Sequence, residues 1–165
     1  TLIEAWRQVP ESLRLRVVGD GPLADDVVAA ATRDPRIEWL GRRSPGEVLD
    51  LIGNAALLVM PSEWYETFGR TIVEAYSRGT PVVVGGMGAM AELVDDGATG
   101  LHFRPGDPAD LAARVRELMG DPERRAAMRG AARHAYLDRY TAGPNYRTLI
   151  SIYDEARALR AAARP

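Results

Sequence analysis

The sequence predicts an α/β fold, a parallel sheet sandwiched by helices with a helical C-terminal extension, and three observations predict it. Short apolar runs rich in β-branched residues alternate with helix-period patterns, the mark of successive βαβ units. The run Leu57-Leu58-Val59-Met60 is apolar on both faces, as a strand covered from both sides requires. Beyond Gly106 the strand pattern stops and only helical patterns follow. Together these describe one Rossmann-like unit with helices added at its end.

Taken in order, the chain opens inside an amphipathic pattern of Leu2, Ile3, Trp6 and Val9. Strands are expected at 15–19, 37–40, 56–60, 81–84 and 101–103, with helices between them at 24–31, 46–53, 70–78 and 90–94. Gly79 stops the third of these helices where a left-handed cap suits glycine, and Pro81 opens the next strand. The extension reads as helices at 107–119, 121–138 and 145–163. Its first two begin Asp107-Pro108 and Asp121-Pro122, an acidic cap followed by proline at the first helical position, where the missing N–H costs nothing.

At 165 residues and 18.0 kDa, with a formal charge of −2, the chain is long enough to bury a real core. It has no cysteine, which excludes disulfides, thiolate metal sites and cysteine nucleophiles. All 21 basic residues are arginine, so any step needing a lysine must be supplied from outside these residues. The interspersed, near-neutral charge lacks the basic excess of a nucleic-acid binder. No apolar run approaches the roughly 20 residues that span a bilayer, and the start is not a signal sequence, so a cytoplasmic protein is expected. Because the chain starts within a helical pattern, a further N-terminal part is expected too.

The segment richest in chemistry is Pro61-Ser62-Glu63-Trp64-Tyr65-Glu66-Thr67-Phe68-Gly69-Arg70-Thr71-Ile72-Val73-Glu74-Ala75. A buried strand ends at Met60, a polar and aromatic loop follows, and a helix begins near Gly69. Ligands of open parallel sheets bind beyond the carboxyl ends of the strands, where this loop lies. The unpaired N–H groups of the helix's first turn suit a phosphate or diphosphate. Glu66 and Glu74 lie eight residues apart, at most about 12 Å along a helical axis, and bracket that anion site. Each carboxylate accepts two hydroxyl hydrogen bonds, so the pair suits a ligand with a sugar at either end. The plain alternative is two surface glutamates on a short helix.

The stretch from Glu66 to Glu74 resembles the E-x7-E signature of retaining GT-B glycosyltransferases, the large family that includes sucrose synthases and many bacterial mannosyl- and glucosyltransferases. Arg16-Val17-Val18-Gly19-Asp20-Gly21-Pro22 resembles that family's strand and G-D/E-G-P turn, and Ile37-Glu38-Trp39-Leu40-Gly41 its F-L-G strand. Ala55 to Ser62 is similar to its A-D-hydrophobic-P-S run, Gly79-Thr80-Pro81-Val82-Val83 to G-x-P-V-V, and Glu92 to Leu101 to E-I-V-x-D-G-x-T-G-L. The resemblance implies a nucleotide-diphospho-sugar donor, with no cofactor and no metal. It implies that Glu66 holds donor-sugar hydroxyls, the candidate catalytic role, and that Glu74 holds ribose hydroxyls. It puts the amides of Phe68, Gly69 and Arg70 toward the sugar, those of Thr71 and Ile72 toward the diphosphate, and the base against Leu40, Gly41 and Arg42. Two departures stand out: Arg70 where an aliphatic residue is common, its guanidinium near the diphosphate or, as favoured here, in solvent; and Gly88-Ala89 where a glycine pair is frequent.

The family's arginine and lysine at the end of the domain's first strand, which neutralise the leaving diphosphate, and its acceptor-binding domain are absent from these residues. The polypeptide as given is therefore expected to bind donor at best, with its N-terminal domain as partner and a sugar or lipid-linked acceptor. Three other readings compete. Gly86-Met87-Gly88-Ala89-Met90-Ala91 fits G-x-G-x-x-A, but the helix is cut short at Asp95-Asp96-Gly97. An epimerase or phosphorylase on the same scaffold is the nearest alternative, and a non-catalytic binding domain the third. His102 and His134 lack partners at metal spacing, and there is no Asp-x-Asp pair to hold a divalent ion. Arg124, Arg125, Arg129 and Arg133 share one helix face, read as solvated, with peripheral contact to an anionic membrane as the second reading.

Overall fold

The structure, a computed structural model, describes residues 1–162. Its elements run α1 (Leu2–Trp6), β1 (Leu15–Val18), α2 (Ala24–Arg33), β2 (Ile37–Gly41), α3 (Pro45–Asn54), β3 (Leu58–Met60), α4 (Arg70–Ser77), β4 (Val82–Gly85), α5 (Gly88–Leu93), β5 (Gly100–Phe103), α6 (Pro108–Gly120), α7 (Pro122–Ala135) and α8 (Ala142–Ala162). The alternation and the helical extension are as the sequence predicts; Ala163, the expected end of the last helix, lies outside the described residues.

Local chemistry fixes the helix starts. Asp107 accepts from the amides of Ala109 and Asp110 at 3.0 and 2.9 Å, and Asp121 from that of Arg124 at 2.9 Å, each ahead of its proline. Ser44 and Glu47 close a reciprocal capping box at the start of α3: the Ser44 amide donates to the Glu47 carboxylate at 2.9 Å, and the Glu47 amide to the Ser44 hydroxyl at 3.4 Å. The expected helix 121–138 is interrupted. α7 ends at Ala135, and Tyr136–Tyr140 form a π-helical turn before α8.

Strand pairing is parallel throughout but falls into two hydrogen-bonded sets, β1-β2 and β3-β4-β5, where a single sheet is the simplest expectation. β4 is buried along its whole length, with Val83 facing one core and Val82 and Val84 the other. The first core joins Trp6 and Leu15 to Val83, Phe103, Leu111 and Val115; the second joins Ile52, Ile72 and Tyr76 to Met90, Val94 and Ala132. Helices α1, α2 and α6 therefore cover one face and α3, α4 and α5 the other, while α7 sends Met128 to the first core and Ala132 to the second. β3, apolar on both faces, is only half-buried at every residue. Its free edge borders a cleft of about 810 Å³ that separates it from β1.

The arginines of α7 do not form a solvated face. Arg124 pairs with Glu117 at 2.5 Å, and Arg125 donates to the carbonyls of Leu118 and Met119. Arg129 donates to the carbonyls of Ala55 at 3.0 Å and Gly53 at 3.4 Å, and Arg133 to that of Ser77. These carbonyls sit at the ends of α6, α3 and α4, where the last turn leaves acceptors unmatched, so the guanidiniums are engaged within the fold. Among the described residues no helix is long and apolar enough to cross a membrane.

Candidate functional site

α4 is pinned at both ends. At its C-terminus Gly79, with φ +64°, turns the chain so that its amide meets the Tyr76 carbonyl at 3.0 Å and the Thr80 amide meets that of Ala75 at 2.9 Å. Within its last turn the Tyr76 hydroxyl lies 2.6 Å from the Thr99 hydroxyl and donates to the Leu93 carbonyl at 3.2 Å. Burial pushes the Tyr76 phenol up to about 12, against a smaller opposing effect of Thr99. At its N-terminus Gly69 holds the left-handed conformation at φ +78°, and a Cβ there would stand 2.9 Å from Leu93 Cδ1 and 3.1 Å from Ile72 Cδ1. Only glycine satisfies both the dihedral and the space.

This geometry sets the donors available to an anion. Gly69 offers no side-chain cap, and the amides of Phe68, Gly69, Arg70 and Thr71 meet no acceptor among the described residues. The expectation for Ile72 is corrected: its amide is spent on the Gly69 carbonyl at 2.9 Å, because the left-handed residue before the helix folds the first turn back on itself. Its side chain is wholly buried. The open donors are therefore the four amides 68–71, which lie at the N-terminal end of α4, the positive end of its dipole.

The two glutamates are held differently. Glu66, half-buried in the loop, accepts from the Ser62 hydroxyl at 3.2 Å. Glu74, on the second turn of α4, accepts from Arg70 Nε at 2.8 Å. Arg70 keeps 79% of its side chain exposed, as expected, yet it does not stand free: it fixes one oxygen of Glu74. Neither contact was singled out from the sequence, although the four-residue spacing of Arg70 and Glu74 on a helix was there to be read. Tyr65 is a further unanticipated neighbour. Its ring lies over the backbone of Gly88, where a Cβ would come within 2.7 Å of Tyr65 Cδ1.

The cleft between β1 and β3 gathers part of the expected set. Arg42, Thr71 and Glu74 line it together with Val18, Gly19 and Pro61. Leu40 opens instead onto a neighbouring pocket of about 400 Å³. Gly41, at φ +63°, turns the chain between the two, and Arg43 lines both. Glu66, Phe68 and Gly69 are not on the cleft wall. The two histidines stay apart from this region: His102 Nε2 is 3.0 Å from the Val94 carbonyl, and His134 is exposed on α7. No group of three or more His, Cys, Asp or Glu with metal-holding geometry occurs among the described residues.

Residues 1–135 match the family model described as "Glycosyl transferases group 1". A D-inositol 3-phosphate glycosyltransferase of Corynebacterium kroppenstedtii is 36% identical over 124 residues, which are 74% of this chain and 27% of the relative. Sulfoquinovosyl transferase SQD2 of Arabidopsis thaliana is 34% identical over 129 residues, 76% of this chain and 25% of the relative. The chain thus spans about a quarter of the length of these relatives. Among solved structures, Anabaena Alr3699/HepE in complex with UDP superposes with a TM-score of 0.83 at 27% identity, covering 93% of this chain and 44% of that one. The same protein in complex with UDP-glucose gives a TM-score of 0.81.

Proposed function

Because the chain belongs to the group 1 glycosyl transferase family, we propose that residues 1–165 bind the nucleotide-diphospho-sugar donor of a retaining glycosyltransferase. The observation that carries this reading is the run of four unengaged amides at 68–71, with Glu66 ahead of it and Glu74 one turn beyond. UDP and UDP-glucose in the Anabaena relative support the choice of ligand.

The amides of Arg70 and Thr71 would receive the diphosphate, those of Phe68 and Gly69 the sugar hydroxyls, and Glu66, steadied by Ser62, would accept from those hydroxyls. Glu74 would accept from the ribose through the oxygen that Arg70 leaves unengaged. Arg42 and Gly41 would border the base, with Leu40 behind them. As the glycosidic bond breaks, negative charge grows on the diphosphate, and fixed N–H dipoles aimed at it lower the barrier without reorganising. This assigns to backbone the role a divalent ion has elsewhere, so transfer without metal is expected. The acceptor, a sugar or lipid-linked hydroxyl, would come from a second domain outside these residues, and the isolated chain would bind donor without turnover.

Calorimetric titration of the full-length protein with UDP and UDP-glucose tests the reading. Glu74→Ala removes a charged acceptor facing hydroxyls, a loss of about 1.5–3 kcal/mol, and affinity should fall roughly 10- to 150-fold. Unchanged affinity and turnover in that variant would sink the assignment, as would binding of NAD in preference to nucleoside diphosphates.

A further inference from the structure

The start of α4 is charged the wrong way for a helix. Negative charge steadies the first turn of a helix and positive charge its last, yet α4 opens on Arg70, with no acid in its first turn and no side-chain cap at Gly69. The ion pair that Arg70 forms is reversed too. On a helix an acid four residues ahead of a base is the favourable order, and here the base comes first. Arg70 is largely exposed, and pairs held in water contribute little to stability. Stability therefore does not account for an arginine at this position.

What Arg70 does is orient one carboxylate. The last torsion of a glutamate is broad and leaves the carboxylate plane free to turn. Nε of Arg70 donates to Oε1 of Glu74 at 2.8 Å, and because the Nε–H lies in the plane of a rigid guanidinium, this bond fixes that torsion. Among the described residues the Arg70 side chain makes no other hydrogen bond, and Oε2 of Glu74 accepts none. Glu74 is half-buried and lines the cleft with Thr71. A carboxylate with one oxygen held and one open thus stands at the cleft wall.

We propose that the Arg70 side chain is a positioning residue for ribose: it acts through Glu74, setting that carboxylate to receive the vicinal ribose hydroxyls, and does not act on the diphosphate. The inference rests on the reading that Glu74 faces ribose. A carboxylate already held in one orientation loses less freedom on binding than one that turns. A site that accepts from hydroxyls rejects a ligand lacking them because its acceptors are then left unmatched, and it does so only as sharply as those acceptors are held. The effect of Arg70 is therefore selective. It raises the preference for ribose over a sugar without these hydroxyls and leaves the grip on base and phosphate as it was.

Calorimetric titration of the full-length protein with UDP and with 2′,3′-dideoxy-UDP, which keeps the base and the diphosphate, reads this preference as a ratio of affinities. The unaltered protein should prefer UDP by at least about 10-fold, and Glu74→Ala should bring the ratio close to one. Arg70→Leu, which keeps the backbone amide, should lower the ratio roughly 3- to 10-fold, within the range by which contacting residues couple, and change affinity for the dideoxy ligand less than about twofold. Its urea midpoint of unfolding should not fall. An unchanged ratio in Arg70→Leu overturns the proposal while the ribose reading of Glu74 stands, and equal weakening of both ligands does so in favour of a guanidinium on the diphosphate. A ratio that Glu74→Ala leaves unchanged refutes the ribose reading itself, and the proposal with it.

Discussion

Replacing Gly69 by alanine should separate the two demands made at the start of α4. An L-residue held at φ +78° costs about 1–2 kcal/mol. The new methyl would also sit 2.9 Å from Leu93 Cδ1 and 3.1 Å from Ile72 Cδ1. Leu93 is half-buried and its methyl can swing, whereas Ile72 is locked in the core, so overpacking adds about 1 kcal/mol. The expected loss is about 2–3 kcal/mol. With a urea m-value of about 2 kcal/mol/M this is a midpoint shift of roughly 1–1.5 M, read by far-UV circular dichroism. Gly69→Asn, which tolerates the left-handed region, should recover the dihedral part and retain the packing part. Affinity for UDP should fall in the alanine variant, because leaving the left-handed conformation re-aims the amides 68–71, and fall less in the asparagine variant, which keeps it. An alanine variant shifted by less than about 0.2 M, or an asparagine variant no better than alanine, refutes the account.

Tyr76 makes stability sensitive to base. Its phenol is held near 12 against the ordinary 10.0, so the burial of the neutral form is fully stabilising below pH 10 and is lost as pH rises toward 12. The loss should total about 2–3 kcal/mol, and Tyr76→Phe, though weaker at neutral pH, should lack this component when unfolding is followed between pH 9 and 12. Arg129→Met strands the carbonyls of Ala55 and Gly53 and should cost about 1–3 kcal/mol in chemical denaturation. Arg129→Lys should recover only part of it, since an ammonium cannot reach two carbonyls as a planar fork does.

What could be read in advance was local. Asp107-Pro108, Asp121-Pro122 and the glycine at 79 announce themselves because a cap needs only residues within one turn of itself. The alternation of strands and helices is local in the same sense. The division of the strands into two sets was not legible, since pairing joins residues far apart in the chain and β3 has the composition of a fully enclosed strand. The arginines of α7 misled for a related reason: three-to-four spacing shows that they share a face, and nothing in it shows that helix ends lie beneath. In the candidate region, the helix start and the placement of Glu66 in the loop and Glu74 on the helix were readable. The spent amide of Ile72 was not, because it depends on the dihedral of Gly69 closing the first turn.

The bonds from α7 also carry a timetable. Arg133 reaches back 56 residues to Ser77, and Arg129 reaches back 74 to Ala55. On a ribosome adding about 5–20 residues per second, α4 therefore waits roughly 3–11 s between its own synthesis and the arrival of the guanidinium that closes its last turn. During that interval α3 and α4 have exposed carbonyl ends and an unfilled apolar face toward Ala132. The helix whose amides are proposed to grip the donor is thus completed late, and a nascent chain that stalls before Arg133 presents it unfinished to the cell's quality control.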